Sequence, residues 1–523
     1  MGWLDRVKSD NALTALVLIL LLALFLRVHA LDEVPPGFFC DEASVGYNAY
    51  SILKTGKGEF GELLPVFFRA FGEYKQPLYV YPAVATIAVF GLNEFAVRLP
   101  AAIFGVLGVL AAFLLGREMF DERTGLFAAL LLAVSPWSIQ ISRWTVQQAH
   151  LVFFITIGLF FLFAGVKRDK RYLLVAGVPF ALALETYSVS FLFLPLLLAG
   201  FAILFWRELW EYRKEAAIGL VVFLIALSPL LYFANENPEA LFARFNQVSS
   251  EELPLEERIE SFESNYFSYY SLDFLFFKGD QNYRHSSKGV GELYAFELPL
   301  LLAGVGLCVW KHGRPEILLL WWLVIFPVSA SLTKDPAHAL RSAVALPAFQ
   351  LACACFLGLV YSRLERKQPA FRYAMLLGFV LLSAIALTQV YGYLNEYYTE
   401  YPVYSAYGYY GFEYGNKQIY EYTESVKGDY ERIAVTGKIH QGYIQALFYT
   451  AQDPAEYHAT GHSAEFGSYV TSFDLNRSFS QGNYLYVVKP EELSGFVYDV
   501  KHSVYGPSGK LLYQIAEVQE RSG

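Results

Sequence analysis

Long apolar segments recur along this 523-residue chain, and they restrict its fold more than any other feature of the sequence. Residues 12–31, ALTALVLILLLALFLRVHAL, match the length of about 20 residues that a helix needs to cross the hydrocarbon core of a bilayer. Charged residues make up 17% of the chain, where soluble proteins carry about a quarter, and the deficit falls in these segments. The sequence therefore predicts an all-α polytopic membrane protein.

Eleven segments have the composition of membrane spans. We place them at 12–31, 95–117, 124–142, 146–166, 172–189, 190–206, 215–233, 292–310, 315–332, 340–362 and 371–393. One more apolar segment, residues 76–91, has a polar start and contains Pro77 and Pro82. We interpret it as a re-entrant or interfacial helix that does not cross the membrane.

The basic residues predict the orientation of the chain. Short cytoplasmic loops carry an excess of Lys and Arg. Four such clusters occur between spans, at 166–171, 206–214, 310–314 and 362–372. If residues 76–91 do not cross, all four lie on the side of the amino terminus, which itself carries Arg6 and Lys8. This predicts a multi-pass protein of the plasma (inner) membrane with a cytoplasmic amino terminus and an extracytoplasmic C-terminal segment.

The last 130 or so residues differ from the rest in being polar and rich in Tyr and Gly. RIAVTG (432–437) and YLYVVKP (484–490) are predicted as buried strands, and GYIQALFY (442–449) as a helix between them. We therefore divide the chain into a transmembrane domain, 1–393, and a small extracytoplasmic α/β domain, 394–523. No G-x-G-x-x-G or P-loop motif occurs in the tail, and the net charge of −9 gives no indication of nucleic acid.

On this topology, carboxylates and cations gather on the outer side, within or next to a first outer loop, 32–94, and a long outer loop, 234–291. An ionisable group at membrane depth costs about 2.5–3.5 kcal/mol, so such groups tend to face a polar cavity or a partner. A carboxylate can take a proton from an attacking hydroxyl, and Arg, Lys and His can hold a phosphate leaving group. The membrane location suggests that one substrate is a lipid.

Simpler interpretations of the same residues stay open. Asp41, in GFFCDEASV (37–45), could cap a helix that begins near Ala43. Glu42 could complement the dipole of that helix. Arg143 could anchor the end of a span by extending to the interface. None of these alternatives involves a substrate.

Several segments resemble the GT-C glycosyltransferases, and more narrowly the group of protein O-mannosyltransferases and lipid A aminoarabinose transferases. The similar segments are CDEASVGYNAYSIL (40–53), the stretch from YKQPLYVY (74–81) to RLP (98–100), SPWSIQISRW (135–144) and FFKGDQNYRH (276–285). The resemblance implies a GT-C fold of about 11 transmembrane helices. It also implies transfer of a sugar, with inversion, from a polyprenyl-phosphate-linked donor to an acceptor hydroxyl of a protein, lipid or glycan on the extracytoplasmic face.

The resemblance also implies roles for single residues. Asp41, with its neighbour Glu42, matches the catalytic acidic position, and Lys75 and Arg143 match donor-phosphate ligands. Further candidates for donor-phosphate binding are Arg341, His338 and Arg284, and the candidates for lining the cavity are Tyr187 and Gln147. In the aminoarabinose enzymes a Glu and a His bind a metal, which points to Glu73 and His285 and to a divalent metal as cofactor. The sequence departs from the pattern here, because Glu73 is one residue out of register and Gln148 stands where many relatives have Asp.

Two other classes of protein are alternatives to an enzyme. A transporter or flippase of a lipid-linked glycan would use the same charges to guide a headgroup, but would need ionisable residues deep in several spans or paired broken helices. A non-catalytic scaffold whose tail binds a partner leaves the outer charges unexplained. We therefore expect a membrane-embedded glycosyltransferase surrounded by membrane lipids.

Overall fold

The computed structural model describes residues 10–239, 254–364, 369–408, 410–479 and 482–521. Arg6 and Lys8, part of the predicted outer loop 234–291 and part of the basic cluster 362–372 lie outside the described residues. The chain forms two compact units, one from residues 1–29 and 101–395 and the other from residues 30–100 and 396–523.

The first unit is helical. Its helices, together with two that extend past its boundaries, are Asp10–Val28, Glu94–Met119, Glu122–Val134, Pro136–Gln140, Gln148–Lys167, Tyr172–Leu184, Ser190–Leu204, Trp206–Glu211, Arg213–Ala226, Ser228–Glu236, Leu255–Ser268, Glu297–Lys311, Arg314–Ser331, Ala339–Ser342, Ala348–Leu364 and Pro369–Thr399. Large apolar side chains such as Leu18, Ile203 and Leu387 are exposed on them, as expected of helices that face lipid. The predicted class, a mostly helical polytopic membrane protein with a small sheet domain at its C-terminal end, is confirmed.

The predicted spans correspond to helices of unequal length in the described residues. Five helices are long and apolar enough to cross a bilayer, or up to seven if two bent helix pairs each count as one span. The predicted span 124–142 breaks at Ser135, because Pro136 begins a new short helix. The predicted spans at 172–189, 190–206 and 292–310 are helices of 13, 15 and 15 residues.

Small residues allow the helices of this unit to approach closely. A Cβ atom on Gly219 would lie 2.2 Å from the carbonyl oxygen of Leu173, and one on Gly304 would lie 1.9 Å from that of Ala352. Since apolar contact brings no advantage over lipid within a bilayer, such close van der Waals packing is what holds membrane helices together.

The second unit combines a sheet with short helices. Its helices are Cys40–Thr55, Tyr81–Phe90, Tyr401–Tyr404, Asn416–Val426, Gly442–Tyr449, Pro454–Ala459 and Leu475–Ser478. Its strands are β1 (Phe68–Ala70), β2 (Glu73–Lys75), β3 (Arg432–Thr436), β4 (Glu465–Phe466), β5 (Tyr469–Phe473), β6 (Tyr484–Val488), β7 (Phe496–Tyr505) and β8 (Leu511–Arg521). The predicted strands at 432–437 and 484–490 and the predicted helix at 442–449 are confirmed.

Strands β1 and β2 form an antiparallel hairpin, and the other six form a mixed sheet in the order β4-β5-β3-β6-β8-β7. Strands β5, β3 and β6 are parallel, and the pairs at both edges are antiparallel. Helix Cys40–Thr55 packs on helix Gly442–Tyr449, and a Cβ atom on Gly46 would lie 2.5 Å from the ring of Phe448. The first outer segment therefore shares a hydrophobic core with the C-terminal tail.

The apolar segment 76–91 belongs to this unit. It forms a 3₁₀ turn, Pro77–Tyr79, followed by the helix Tyr81–Phe90. Together they form one apolar helical segment, Pro77–Phe90, which is shorter than the roughly 20 residues that a membrane span needs. Helices Tyr172–Leu184 and Ser190–Leu204 fall in the same length class, so the interpretation that residues 76–91 do not cross and the sidedness of the chain both stay predictions.

Candidate functional site

Asp41 and Lys75 are brought together in the second unit. Asp41 is the second residue of helix Cys40–Thr55, so its carboxylate lies at the positive end of the helix dipole. Lys75 ends strand β2, and its ammonium group donates a hydrogen bond to Oδ1 of Asp41. The side chain of Asp41 is 40% exposed and that of Lys75 only 8%. Burial would lower the pKa of Lys75, but the neighbouring Asp41 carboxylate outweighs it and raises that pKa above its ordinary value.

Glu42 has a different environment from its neighbour. It is fully buried, and its two carboxylate oxygens accept hydrogen bonds from Arg98 at 2.9 and 3.0 Å. Arg98 also donates to the carbonyl oxygens of Leu31, Pro35 and Gly37 at 2.7 to 3.1 Å. This network fixes the backbone that leads into the helix of Asp41. The geometry favours a positioning role for Glu42 over the predicted catalytic one, because proton transfer would break a buried ion pair.

Arg98 was not singled out as a functional residue from the sequence. The sequence does mark Arg98 in one way, because it belongs to the RLP segment (98–100) and lies in the second turn of the apolar helix Glu94–Met119. A charged residue there needs a buried partner, but its partner is 56 residues away in sequence.

Glu59 is a second functional candidate that sequence reasoning missed. It is fully buried and accepts a hydrogen bond from Asn48 Nδ2 at 3.1 Å. Burial raises the pKa of Glu59 to about 7, although hydrogen bonds from Tyr443 and Asn48 and the charge of Lys75 act in the opposite direction. A buried carboxyl group with a pKa near neutrality is typical of functional sites.

In the first unit, the predicted residues His285 and His338 form a cluster with Asp280. Asp280 Oδ2 accepts hydrogen bonds from His285 Nδ1 at 2.9 Å and from the backbone N–H of Ala339 at 2.8 Å. The ring of His338 lies 4.4 Å from that of His285, and one ligand atom from each of the three side chains lies within 4.8 Å of the others. Burial would raise the pKa of Asp280, but the two histidines lower it below its ordinary value. Burial and the nearby His285 and Arg341 lower the pKa of His338 well below its ordinary value, which favours the neutral imidazole.

The remaining donor-phosphate candidates are placed as follows. Arg341 is largely buried, donates to Thr333 Oγ1 at 2.7 Å and forms an ion pair with Asp335 at 2.8 Å. Arg284 is half-buried, and its carbonyl oxygen accepts a hydrogen bond from Gln140 Nε2 at 2.8 Å. Both lie in the unit that holds the Asp280 cluster.

Arg143 is buried and has a different set of contacts. Its guanidinium donates to the carbonyl oxygens of Leu26 and His29, both at 2.8 Å. These oxygens lie at the C-terminal end of helix Asp10–Val28, where backbone carbonyls lack helical partners. The geometry favours a helix cap over the predicted phosphate ligand.

The other predicted residues lie apart from these groups. Tyr187 is half-buried in a turn, where its carbonyl oxygen accepts hydrogen bonds from Ser190. Gln147 immediately precedes helix Gln148–Lys167. Glu73 begins strand β2 in the second unit, whereas His285 belongs to the first, so neither unit brings this predicted metal pair together.

The helical unit and the sheet unit define the class of this protein, a polytopic membrane protein with a small mixed-sheet domain. Residues 75–233 match the family model described as dolichyl-phosphate-mannose-protein mannosyltransferase. The chain is 30% identical over 174 residues to undecaprenyl phosphate-alpha-4-amino-4-deoxy-L-arabinose arabinosyl transferase 2 of Pseudomonas fluorescens, a match that covers 32% of this chain and 29% of that protein. The chain spans less than half the length of the curated relatives it matches.

Two solved structures have a similar fold. One is ArnT from Cupriavidus metallidurans bound to undecaprenyl phosphate, with a TM-score of 0.58, 15% identity and coverage of 97% of this chain and 98% of that one. The other is the Archaeoglobus fulgidus oligosaccharyltransferase tethered to an acceptor peptide, with a TM-score of 0.56, 14% identity and coverage of 97% and 74%. The chain therefore shares the fold of these membrane glycosyltransferases, and residues 75–233 are similar to a mannosyltransferase family, which agrees with the resemblance seen in the sequence motifs.

Proposed function

We propose that this chain transfers a sugar, with inversion, from a polyprenyl-phosphate-linked donor to an acceptor hydroxyl of a protein, lipid or glycan on the extracytoplasmic face of the membrane. The matched family and relatives support a glycosyltransferase with a lipid-linked donor. The proposal adds the acceptor class, the stereochemistry and the residues that perform the step.

The observation that carries the proposal is the Asp41–Lys75 pair. A half-exposed carboxylate at a helix N-terminus is held by a buried ammonium group that remains charged. The segment 31–42 that presents it is fixed by the Arg98–Glu42 network. The accessible carboxylate of Asp41 can remove a proton, and the neighbouring ammonium group of Lys75 can bind a phosphate. Both functions need groups that are held in fixed positions.

In the proposed step, the donor phosphate binds the Lys75 ammonium and competes with Asp41 for it. Asp41 then takes the proton of the acceptor hydroxyl, whose oxygen forms a bond to the anomeric carbon. The bond from that carbon to the phosphate oxygen breaks, and its electron pair leaves with the polyprenyl phosphate. Because the incoming oxygen attacks opposite the leaving group, the configuration at the anomeric carbon inverts.

Arg341 and Arg284 stay proposals as donor-phosphate ligands, and Tyr187 and Gln147 as cavity-lining residues, whereas the predicted phosphate ligand His338 becomes a proposed metal ligand. The metal ligands that we propose differ from the pair predicted from the sequence. We propose that a divalent metal uses His285 with Asp280 and His338 instead of Glu73, because imidazole and carboxylate atoms within 4.8 Å of one another suit Zn²⁺. The metal would supply Lewis-acid stabilisation of an oxygen anion when bound.

The test measures transfer from radiolabelled polyprenyl-phosphate mannose and aminoarabinose, the sugars of the matched family and relative, by purified protein in lipid nanodiscs. We expect Asp41→Asn to lower turnover by about 10²- to 10⁴-fold, the usual contribution of a general base, in protein that a melting curve shows to be folded. Some loss of stability is expected as well, because Lys75 loses its charged partner. Asp32→Asn, which removes an exposed carboxylate of the same segment, is the control and should keep full turnover. Normal turnover of a folded Asp41→Asn variant would contradict the assignment. Movement of intact donor across the bilayer, without cleavage of the sugar–phosphate bond, would support a transporter instead.

A further inference from the structure

A thiol, an imidazole and a carboxylate converge next to Asp41 in the second unit. They are Cys40, His440 and Glu413, and one ligand atom from each lies within 4.8 Å of the others. Cys40 Sγ lies 3.5 Å from His440 Nδ1, and His440 Nδ1 lies 2.8 Å from Glu413 Oε1. Cys40 and His440 are 400 residues apart in sequence, so the fold alone brings these groups together.

The spacing and chemistry of the three groups fit zinc. Tetrahedral bonds of about 2.3 Å to sulfur and 2.0–2.1 Å to nitrogen place the two ligand atoms about 3.5 Å apart, which is the separation of Cys40 Sγ and His440 Nδ1. The nitrogen-to-oxygen separation would open to about 3.3 Å as the metal replaces the hydrogen bond from imidazole to carboxylate. Thiolate, imidazole and carboxylate are the ligands that Zn²⁺ accepts together.

The surroundings of the three groups also favour a metal. Cys40 is the first residue of a 16-residue helix, so it lies at the positive N-terminal end of that helix. Gln445 Nε2 donates to Glu413 Oε2 at 3.0 Å and orients that carboxylate.

We propose that Cys40, Glu413 and His440 form a Zn²⁺ site with an open fourth position. Cys40 is buried and Glu413 half-buried, but the side chain of His440 is 62% exposed, so a water molecule or an acceptor oxygen has access to the metal. The metal would tie the start of the helix that carries Asp41 to two loops of the C-terminal segment. Such a site positions Asp41 and takes no proton itself, and the proposal does not depend on the proposed transfer reaction.

The test is the absorption spectrum of Co²⁺ added to metal-free full-length protein in nanodiscs. Cobalt bound to a thiolate gives a charge-transfer band in the near ultraviolet, which a site made only of His and Asp cannot give. We expect the wild-type protein to show this band and Zn²⁺ to abolish it by displacement. Cys40→Ser should remove the band. His440→Asn and Glu413→Gln should weaken Co²⁺ binding by at least tenfold, because loss of an outer-shell partner alone typically costs about 10- to 100-fold.

Matched controls separate this site from other groups. Cys308→Ser changes a different buried thiol, and His312→Asn changes a different exposed histidine, so both should leave the band unchanged. His440 is exposed, so its variant tests the site even if Cys40→Ser does not fold. The proposal is overturned if the wild-type protein gives no thiolate band, or if folded Cys40→Ser or His440→Asn keeps the wild-type band and affinity.

Discussion

Glu59 is the residue whose environment most directly predicts a dependence of stability on pH. Its pKa rises from about 4.5 in the unfolded chain to about 7 in the folded protein, chiefly by burial. The folded protein therefore binds more protons than the unfolded chain between these values, and the contribution to stability is lost as pH rises through this window. The shift corresponds to a loss of roughly 3 kcal/mol between pH 4 and pH 8.

Glu59→Gln keeps the size of the side chain and removes its charge. We expect the variant to melt at a higher temperature than the wild-type protein at pH 8 and at a similar one at pH 5. Thermal unfolding in nanodiscs from pH 5 to pH 8 measures the difference. Parallel pH profiles for the two proteins would show that Glu59 is ionised at little cost in the folded state.

Arg98 and Arg69 are a pair of arginines in the same unit whose ion pairs differ in burial. Arg98 and Glu42 are fully buried, whereas Arg69 and Glu62 have side chains that are 50% and 40% exposed. Removing one partner of a buried pair costs about 3–5 kcal/mol because the other charge is left buried, while an exposed pair contributes about 0–1 kcal/mol. We therefore expect Arg98→Met to lower the melting temperature sharply and Arg69→Met to leave it nearly unchanged. Equal effects of the two substitutions would contradict the anchoring role of Arg98.

At the scale of elements, helices Asp10–Val28 and Glu122–Val134 exchange C-terminal caps. An arginine from the end of each helix, or from the segment after it, caps the other helix. Arg27, from helix Asp10–Val28, donates to the carbonyl oxygens of Leu132 and Ala133 near the end of helix Glu122–Val134, at 3.2 and 3.0 Å. Arg143 follows that second helix and caps the first one. The two side chains therefore satisfy carbonyl groups that would otherwise be buried without donors.

This arrangement predicts the effect of removing either cap. Arg143→Met should destabilise the protein by about 1–3 kcal/mol for each carbonyl group left unpaired, and Arg27→Met should do the same. The KM for the lipid donor should not change in the folded fraction, because neither side chain is assigned to the substrate. Measuring melting temperature and donor KM separates the two roles of Arg143. A higher KM with an unchanged melting temperature would restore Arg143 as a phosphate ligand.

The elements that the sequence predicts well are those with a strong local signal. RIAVTG and YLYVVKP are short apolar runs rich in β-branched and aromatic residues, and both are strands. Span lengths were overestimated because composition does not show where a helix stops. Helix Tyr172–Leu184 ends inside an apolar segment, at Glu185, where the chain turns.

At the scale of the whole molecule, the sequence predicts functional residues that lie in recognisable local motifs. It does not predict which residues distant in sequence come together. Asp41 and Lys75 are 34 residues apart and were both predicted, since each lies in a recognisable motif. Cys40 and His440 are 400 residues apart, and no local pattern relates a residue of the first outer segment to one of the tail. The grouping of residues 30–100 with 396–523 in one compact unit likewise depends on packing between segments that are distant in sequence.

The sidedness of the molecule is the prediction on which the extracytoplasmic assignment depends. If residues 76–91 do not cross, the basic segment 166–171 is cytoplasmic and the tail is extracytoplasmic. Asp169 lies at a helix end in that segment, and Lys510 lies in the turn between β7 and β8. In intact cells, a membrane-impermeant maleimide should label a protein with Lys510→Cys and not one with Asp169→Cys, and permeabilisation should make the second site reactive. The wild-type protein, whose four cysteines are all buried, gives the background for both. Labelling at position 169 without permeabilisation would contradict this topology, whether because residues 76–91 cross the membrane or because the whole chain is inverted.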